Sequence, residues 1–390
     1  MIKIHAPLFP LTCCLIAGIT WGGCLDNWTI PLLVLVVAIP IISLISRWPR
    51  YQTAGIWCCM LLLGIVLGIR EQHHPHTRPS VSTKAAKVRQ QLQEHYRQWG
   101  ISDEAIGVVT AMTLGEKSQL DSRVKETFSK TGAAHILALS GLHLMIIYSF
   151  ISLFFSRRRF RLLSQIVIIT ALWAFAFLVG MSPSIVRSAF MISIYSLLSL
   201  GHRERMSINT LSLTAIVMLI VNPKSLYDIG FQLSFMAVLT ILLFNPLFGR
   251  LIPLHLLQRH HWLKGLWGLT IVSISAQIGT APLVAYYFGR FSILFLLSNF
   301  IVMPMATAVL YLAISCLLTC WWGWLQHLLA TVLSTVVVWT NGLLLGISQL
   351  PYCSIEGISL SPLQVALIFV VVGCVYILFS LTVPKARQSV

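Results

Sequence analysis

The chain has 390 residues, of which 57% are hydrophobic and only 10% are charged, and its mean hydropathy is +0.84. A soluble domain of this size carries about 25% charged residues, so the composition excludes an ordinary soluble globular protein. The sequence instead predicts an all-α, polytopic helical membrane protein with about twelve transmembrane helices, some of them broken or kinked. The net charge of +16 is concentrated in loops, where it orients the helices and suits anionic lipid or a polyanion.

Three apolar segments open the chain, and we predict three transmembrane helices within residues 1–69. Residues 8–25 are interpreted as the first helix and not as a signal peptide, because further spans follow. The second and third helices are predicted at residues 29–46 and 53–69. The loop at Asp26 has no Lys or Arg, whereas the next loop is basic, so the positive-inside rule predicts a cytoplasmic N-terminus.

Residues 70–131 form a long polar stretch, which we predict to be a helical segment outside the membrane. Apolar residues recur at helical spacing from Val81 to Trp99 with basic residues on the other faces, which predicts an amphipathic helix. Its basic face suits DNA or lipid head groups, although a solvated surface is the simpler interpretation. A second helix is predicted to start after Ser102 and end at Gly115, and a third contains Phe128.

The next apolar stretch contains polar and small residues at membrane depth, namely His135, Ser140, Gly141 and His143. Such groups are costly in a bilayer and usually functional, although a single membrane histidine often only bonds a neighbouring helix. In one continuous helix the two histidines would lie on one stripe, roughly 12 Å apart. The Ser-Gly pair alternatively lets another backbone approach closely, or lets the helix break.

The basic cluster at residues 157–161 marks the cytoplasmic side of the following helix. Beyond that helix, Ser182 is predicted to cap a new helix with Pro183 at its first position. Arg187 lies one turn inside, where its charge and the helix N-terminus would attract anions. Asp228 is predicted to cap a later helix and is also able to pair with Arg187, which is the structural alternative for this arginine.

Gln277 and Asn299 are further polar residues within apolar stretches. Gln277 and Asn299 lie near proline within apolar spans, which predicts broken or kinked helices around a cavity. Among the nine cysteines, Cys24 and Cys353 fall near the predicted external loops and allow a disulfide. With no metal-ligand spacing and no carboxylate pair, we predict no metal, no cofactor and no enzymatic activity.

The sequence ALSGLH at 138–143, preceded by His135, is the first of five short motifs, and the others are the segments 180–187, 227–235, 275–282 and 297–304. In this order they resemble the motifs of the ComEC family of competence proteins. The resemblance implies a competence-type membrane core at 132–312, followed by C-terminal transmembrane helices at 313–390. It implies an inner-membrane channel for single-stranded DNA in natural transformation, with both termini cytoplasmic.

The resemblance also implies partners: single-stranded DNA, the lipid bilayer, a DNA-receptor protein, a cytoplasmic motor and a separate nuclease, with a homo-oligomer left open. No Walker motif is present, which is why the motor is expected to be a separate protein. The expected substrate path contains His135, Ser140, Gly141, His143, Ser182, Arg187, Asp228, Gln232, Gln277 and Asn299.

Two departures from the family pattern limit what this chain is expected to do. Residues 70–131 have helical periodicity and cannot hold the five strands of the OB-fold usual in this family. No His-x-His-x-Asp-His sequence occurs, and the chain stops just after its last predicted span, so the metallo-β-lactamase-like domain is expected to be missing. We therefore predict a channel and not a nuclease. The alternatives are a transporter of a smaller anion or lipid-related solute, and a remnant of a longer competence protein.

Overall fold

The computed structural model describes residues 6–25, 31, 34, 49–73, 83–154, 161–200 and 208–382. These ranges are almost entirely helical, with two three-residue strands, so the all-α prediction is confirmed. In chain order the elements are α1 (Leu8–Gly22), α2 (Pro49–His73), α3 (Thr83–Gln98), α4 (Asp103–Leu114), α5 (Ser122–Lys130), α6 (Ala134–Leu137), α7 (Gly141–Phe154), α8 (Arg161–Leu178), α9 (Pro183–Leu200), α10 (Ile208–Val221), a 3-10 turn (Pro223–Tyr227), α11 (Ile229–Phe248), α12 (Leu254–Arg259), α13 (His261–Phe288), β1 (Arg290–Ser292), α14 (Phe295–Leu318), α15 (Gly323–Ser348), β2 (Ser354–Glu356) and α16 (Pro362–Thr382).

Six helices in the described ranges are long and apolar enough to cross a membrane, and they lie in α2, α11, α13, α14, α15 and α16. Shorter apolar helices lie in α1, α7, α8 and α10. These helices are those of a multi-pass membrane protein, whereas the predicted number of crossings stays a prediction. Most of the predicted second span at 29–46, and the basic cluster apart from Arg161, lie outside the described residues.

Glycines hold the N-terminal pair α1 and α2 in backbone contact. Gly18 and Gly22 of α1 meet Gly64 and Gly68 of α2, and each pair is four residues apart. A Cβ built at Gly68 would lie 2.6 Å from the carbonyl oxygen of Ile19, so no larger side chain fits. In a membrane, small residues at this spacing let two helices pack closely, because lipid provides no hydrophobic force to drive them together.

The helices of the polar segment share one hydrophobic cluster with α14 and α15. Every residue of α4 from Ala105 to Leu114 is buried. At its start the Ser102 N–H donates to the Ser334 hydroxyl at 3.1 Å, and the two hydroxyl oxygens are 2.6 Å apart. Burial raises the pKa of Tyr96 on α3 to about 12, so its hydroxyl stays neutral. The three predicted helices are present, and the position of this segment outside the membrane stays a prediction.

Prolines do not interrupt the long helices of the second half. α13 continues through Pro282 and α14 continues through Pro304, so these helices are not broken at their prolines, and the alternative of a kink stays a prediction. A proline removes one helical hydrogen bond, and tight packing of neighbouring helices can hold the remaining turns. Such packing is seen at Gly279 of α13, where a Cβ would lie 2.7 Å from the carbonyl oxygen of Met236 on α11.

The strands β1 and β2 form a short antiparallel pair, and residues at this pair contact the end of α5. Arg290 lies opposite Glu356, and its guanidinium donates to the Ser129 hydroxyl at 2.8 Å. Just before β2, the Cys353 thiol is buried and lies 3.5 Å from the Lys130 carbonyl oxygen. Both Cys353 and the exposed Cys24 are free thiols. The disulfide allowed by the sequence is therefore not formed in this structure.

Candidate functional site

The central segment is interrupted and does not form one helix. α6 ends at Leu137, residues 138–140 are not helical, and α7 begins at Gly141. Ala138 is extended, with φ −96° and ψ 131°. The expected single stripe of histidines is therefore wrong, and the alternative of a helix break is confirmed. The cause is local, because Ser and Gly favour a helix start over a helix interior.

The break gives the two histidines different environments. His135 lies on the surface of the folded chain, and its Nδ1 is 3.0 Å from the Gly132 carbonyl oxygen. His143 is 0% exposed. His143 is therefore enclosed by the protein, whereas His135 is accessible, and a role of either histidine on the substrate path stays a prediction.

Ser140 and His143 form a variant of the capping box at the start of α7. The His143 ring takes the place that Glu or Gln occupies in the usual Ser-x-x-Glu pattern. Its Nδ1 accepts the Ser140 backbone N–H at 3.3 Å, and the Ser140 hydroxyl lies 3.1 Å from the same nitrogen. This contact satisfies one of the N–H groups that a helix start leaves without a partner. The sequence carried a signal for it, since the spacing Ser-x-x-His matches the capping box.

The other ring nitrogen of His143 has no partner. Nε2 is buried and makes no hydrogen bond within the described structure. A buried polar group left in this way costs about 1–3 kcal/mol.

α9 passes close to the start of α7 and also carries the charged part of the site. A Cβ built at Gly141 would lie 2.9 Å from the Ser188 hydroxyl, so the glycine lets α9 approach the start of α7. The preceding residue, Arg187, is directed instead toward α11. Ser188 had no signal in the sequence, because its role depends on how two helices cross.

Arg187 is paired within the protein. It is 3% exposed, and its guanidinium donates to the Asp228 carboxylate at 3.3 Å and to the Ser234 hydroxyl at 3.2 Å. The same Asp228 carboxylate accepts the Phe231 N–H at 2.8 Å and so caps α11 as predicted. A side chain at Gly230 would come within 2.9 Å of the guanidinium. The structural alternative for Arg187 is therefore present, and a role on the substrate path stays a prediction.

α9 starts at the predicted position, but the predicted side-chain cap is missing. The helix begins at Pro183 as predicted. The Ser182 hydroxyl oxygen is buried without a hydrogen-bond partner, so the predicted cap is wrong. The backbone before it explains this, since Gly180 and Met181 both have positive φ, at 82° and 53°. Positive φ at a residue other than glycine is uncommon, so the connection before α9 is not an ordinary helix entry.

The remaining predicted residues lie on α11, α13 and α14. Gln232 is bonded at both ends, since its amide donates to the Leu226 carbonyl at 2.9 Å and accepts the Tyr287 hydroxyl at 2.7 Å. Asn299 is buried on α14, and its Oδ1 has no partner. Gln277 is partly buried on α13. Tyr287 was missed from the sequence, because no local pattern indicates a partner 55 residues away.

Within the described ranges, no group of three or more His, Cys, Asp or Glu residues is placed to hold a metal ion. The arrangement instead consists of a buried imidazole, hydroxyls, amides and one compensated arginine. Such groups are able to donate and accept hydrogen bonds. The absence of enzymatic activity stays a prediction.

The sequence is similar to those of several known proteins. A family model described as competence protein matches residues 112–382. ComE operon protein 3 of Bacillus subtilis is 32% identical over 209 residues, which are 52% of this chain and 25% of that protein. An uncharacterized protein of Aquifex aeolicus is 33% identical over 205 residues, covering 51% of this chain and 45% of its own length. No solved structure matches the chain significantly.

The chain thus spans between a quarter and a half of the length of these relatives. The family match is broader than the relatives' alignments, since it runs from the end of α4 to the last turn of α16. It includes the helix break, the Arg187 pair and all ten residues of the expected substrate path. Because the match covers more than half of the sequence, this protein belongs to the competence protein family, to which ComEC belongs.

Proposed function

We propose that this protein forms an inner-membrane channel for the uptake of single-stranded DNA during natural transformation. The observation that carries the proposal is the match of the competence family model to residues 112–382. The multi-pass helical fold supports it, because a path across the bilayer needs several spanning helices. The buried polar groups around the break before α7 support it as well.

The physical problem for such a channel is the charge of the strand. Each phosphate carries one negative charge, and an uncompensated charge at the bilayer centre costs at least about 2.5–3.5 kcal/mol. Hydrogen-bond donors and helix N-termini lower this cost without adding full positive charges. A path lined in this way binds the strand weakly enough to release it, which conduction requires.

The proposal includes an orientation and a set of partners. Both termini lie in the cytoplasm, and the basic loops face the same side. A DNA-receptor protein, a cytoplasmic motor and a nuclease act as separate proteins, and this chain itself has no enzymatic activity. Each assignment rests on the resemblance to the ComEC family and on the charge pattern of the sequence.

The genetic test uses a naturally transformable strain whose own copy of the gene is deleted. Expression of the full chain is expected to restore uptake of labelled DNA into the cytoplasm as single strands. The control is a strain that carries the chain with Gly64→Leu, which disrupts the contact between α1 and α2. Full transformation in the deletion strain without any copy would refute the proposal.

The biochemical test separates a DNA channel from a carrier of a small anion. For a strand bound through several phosphates, each contact releases about 0.7 of a counterion, so affinity falls steeply with salt. We expect detergent-purified protein to bind thymidine oligonucleotides more tightly as their length increases, with a steeper salt dependence. A carrier with one anion site would bind a mononucleotide as tightly as a long oligonucleotide. Affinity independent of both length and salt would favour the carrier.

A further inference from the structure

The buried ring of His143 has a fixed tautomer, which follows from its contacts. Its Nδ1 lies 3.3 Å from the Ser140 backbone nitrogen, and a backbone N–H can only donate. Nδ1 is therefore the acceptor, and the hydrogen of the neutral imidazole resides on Nε2. The second contact, with the Ser140 hydroxyl at 3.1 Å, agrees with this assignment because a hydroxyl is able to donate.

The Nε2–H group is thus a donor without an acceptor. His143 is 0% exposed, and Nε2 has no partner in the described structure. The helices that pack against α7 are α8, α9 and α14. None of these four helices contains an Asp or Glu, so no carboxylate on them is available to Nε2.

The position of this donor favours a negatively charged acceptor. His143 lies in the first turn of the 14-residue helix α7, whose N-terminus carries a partial positive charge. Phosphate and other anions bind at such helix starts because backbone N–H groups and the dipole act together. Here the Ser140 N–H is used by the capping contact with Nδ1, and the Nε2–H of the same His143 ring provides a second, buried donor.

We infer that the His143 Nε2–H donates a hydrogen bond to an anionic oxygen of the ligand, namely a phosphodiester oxygen of a single strand in the channel. The inference rests on the proposed function and adds a contact residue and its chemistry. A neutral imidazole suits this position, because it recognises the phosphate without the strong attraction of a full charge. The Ser140 cap fixes the ring, so its donor is preorganised for each phosphate that arrives.

Two substitutions separate the donor from the cap. His143→Gln keeps an amide N–H at the distance of Nε2 from the backbone, whereas His143→Asn places its amide at the distance of Nδ1. The Asn variant can therefore accept the Ser140 N–H but has no distal donor. Gln at this position also completes the usual Ser-x-x-Gln capping box, so both variants are expected to start α7 normally.

The test measures binding of the purified full chain to two thymidine oligonucleotides of equal length. One has ordinary phosphodiesters, and the other has uncharged methylphosphonates over a central stretch. Removal of a hydrogen bond to a charged acceptor lowers the affinity about ten-fold to a hundred-fold. We expect the affinity of His143→Asn for the phosphodiester strand to fall by this factor, and its affinity for the methylphosphonate strand to fall only a little. The affinity of His143→Gln should stay within a few-fold of that of the parent.

Each result has one meaning. Equal binding by the Gln and Asn variants at the parental level would overturn the inference, because a donor at the position of Nε2 would then contribute nothing to the binding of the strand. Equal loss in both variants for both strands, with lower stability in detergent, would also overturn it, because the imidazole would be only structural. Failure of the parent protein to bind either strand would refute the proposed function itself, and the parent measurement alone reports that.

Discussion

The ion pair between Arg187 and Asp228 predicts an unequal response to the removal of its two partners. Arg187 is 3% exposed, whereas the Asp228 side chain is 40% exposed. Asp228→Ala leaves a buried guanidinium without its countercharge, which costs about 3–5 kcal/mol, and removes a helix cap worth about 1 kcal/mol. Arg187→Ala leaves a carboxylate that water can reach, so we expect a smaller cost of about 1.5–3 kcal/mol.

The double variant isolates the interaction. With both charges removed, no unpaired buried charge remains, and we expect the double variant to be more stable than Asp228→Ala alone by about 1–3 kcal/mol. Asp228→Asn adds a further control, because Asn caps a helix about as well as Asp but carries no charge. Its cost should therefore fall below that of Asp228→Ala by about the value of the cap, near 1 kcal/mol.

The assay is denaturant unfolding of the purified protein in mixed micelles, followed by tryptophan fluorescence. Lys130→Ala is the matched control, since Lys130 and Glu126 form an exposed ion pair at 2.8 Å on α5. Loss of that pair is expected to leave the unfolding midpoint unchanged. The reasoning fails if Asp228→Ala is no more destabilising than Lys130→Ala, or if the double variant is as unstable as the sum of the two single changes.

Three further predictions concern packing, orientation and chemistry. Gly64→Leu should separate α1 from α2 and lower the unfolding midpoint. Gly373→Leu is the control, because the space around its Cβ position is open, and it should leave the midpoint unchanged. Equal midpoints for the two variants would contradict the close packing. In a variant without native cysteines, Ser80→Cys should react with an impermeant thiol reagent in intact cells and Ser156→Cys should not; the reverse pattern would invert the proposed orientation. The purified protein should leave DNA intact with every divalent metal tested, and metal-dependent cleavage that disappears on mutation of His143 would show an active site after all.

Several local features could be predicted because their causes lie within a few residues. The start of α4 after Ser102 and its end at Gly115 follow from helix start and stop signals, and Gly115 does adopt a left-handed φ of 74°. The cap at Asp228 is equally local. The missing side-chain cap at Ser182 shows the limit, because no sequence signal indicates the positive φ angles of Gly180 and Met181 just before it.

The site was only partly predictable for a related reason. The candidate residues could be chosen because polar groups are conspicuous in apolar segments. Their partners could not be chosen, since Ser234 lies 47 positions from Arg187 and Tyr287 lies 55 positions from Gln232. The different environments of His135 and His143 depend on the break between α6 and α7, which the sequence allowed but did not require.

By itself, the sequence determined that this is an all-α membrane protein with polar groups inside its apolar segments, because hydropathy and helix signals act over one turn or one span. Only the tertiary structure decided which of those groups meet. Ser102 reaches Ser334 across 232 positions, and Arg187 reaches Asp228 across 41. The physical reason is that a contact between helices depends on how closely they cross, and that distance is set by packing around glycines such as Gly141 and Gly279.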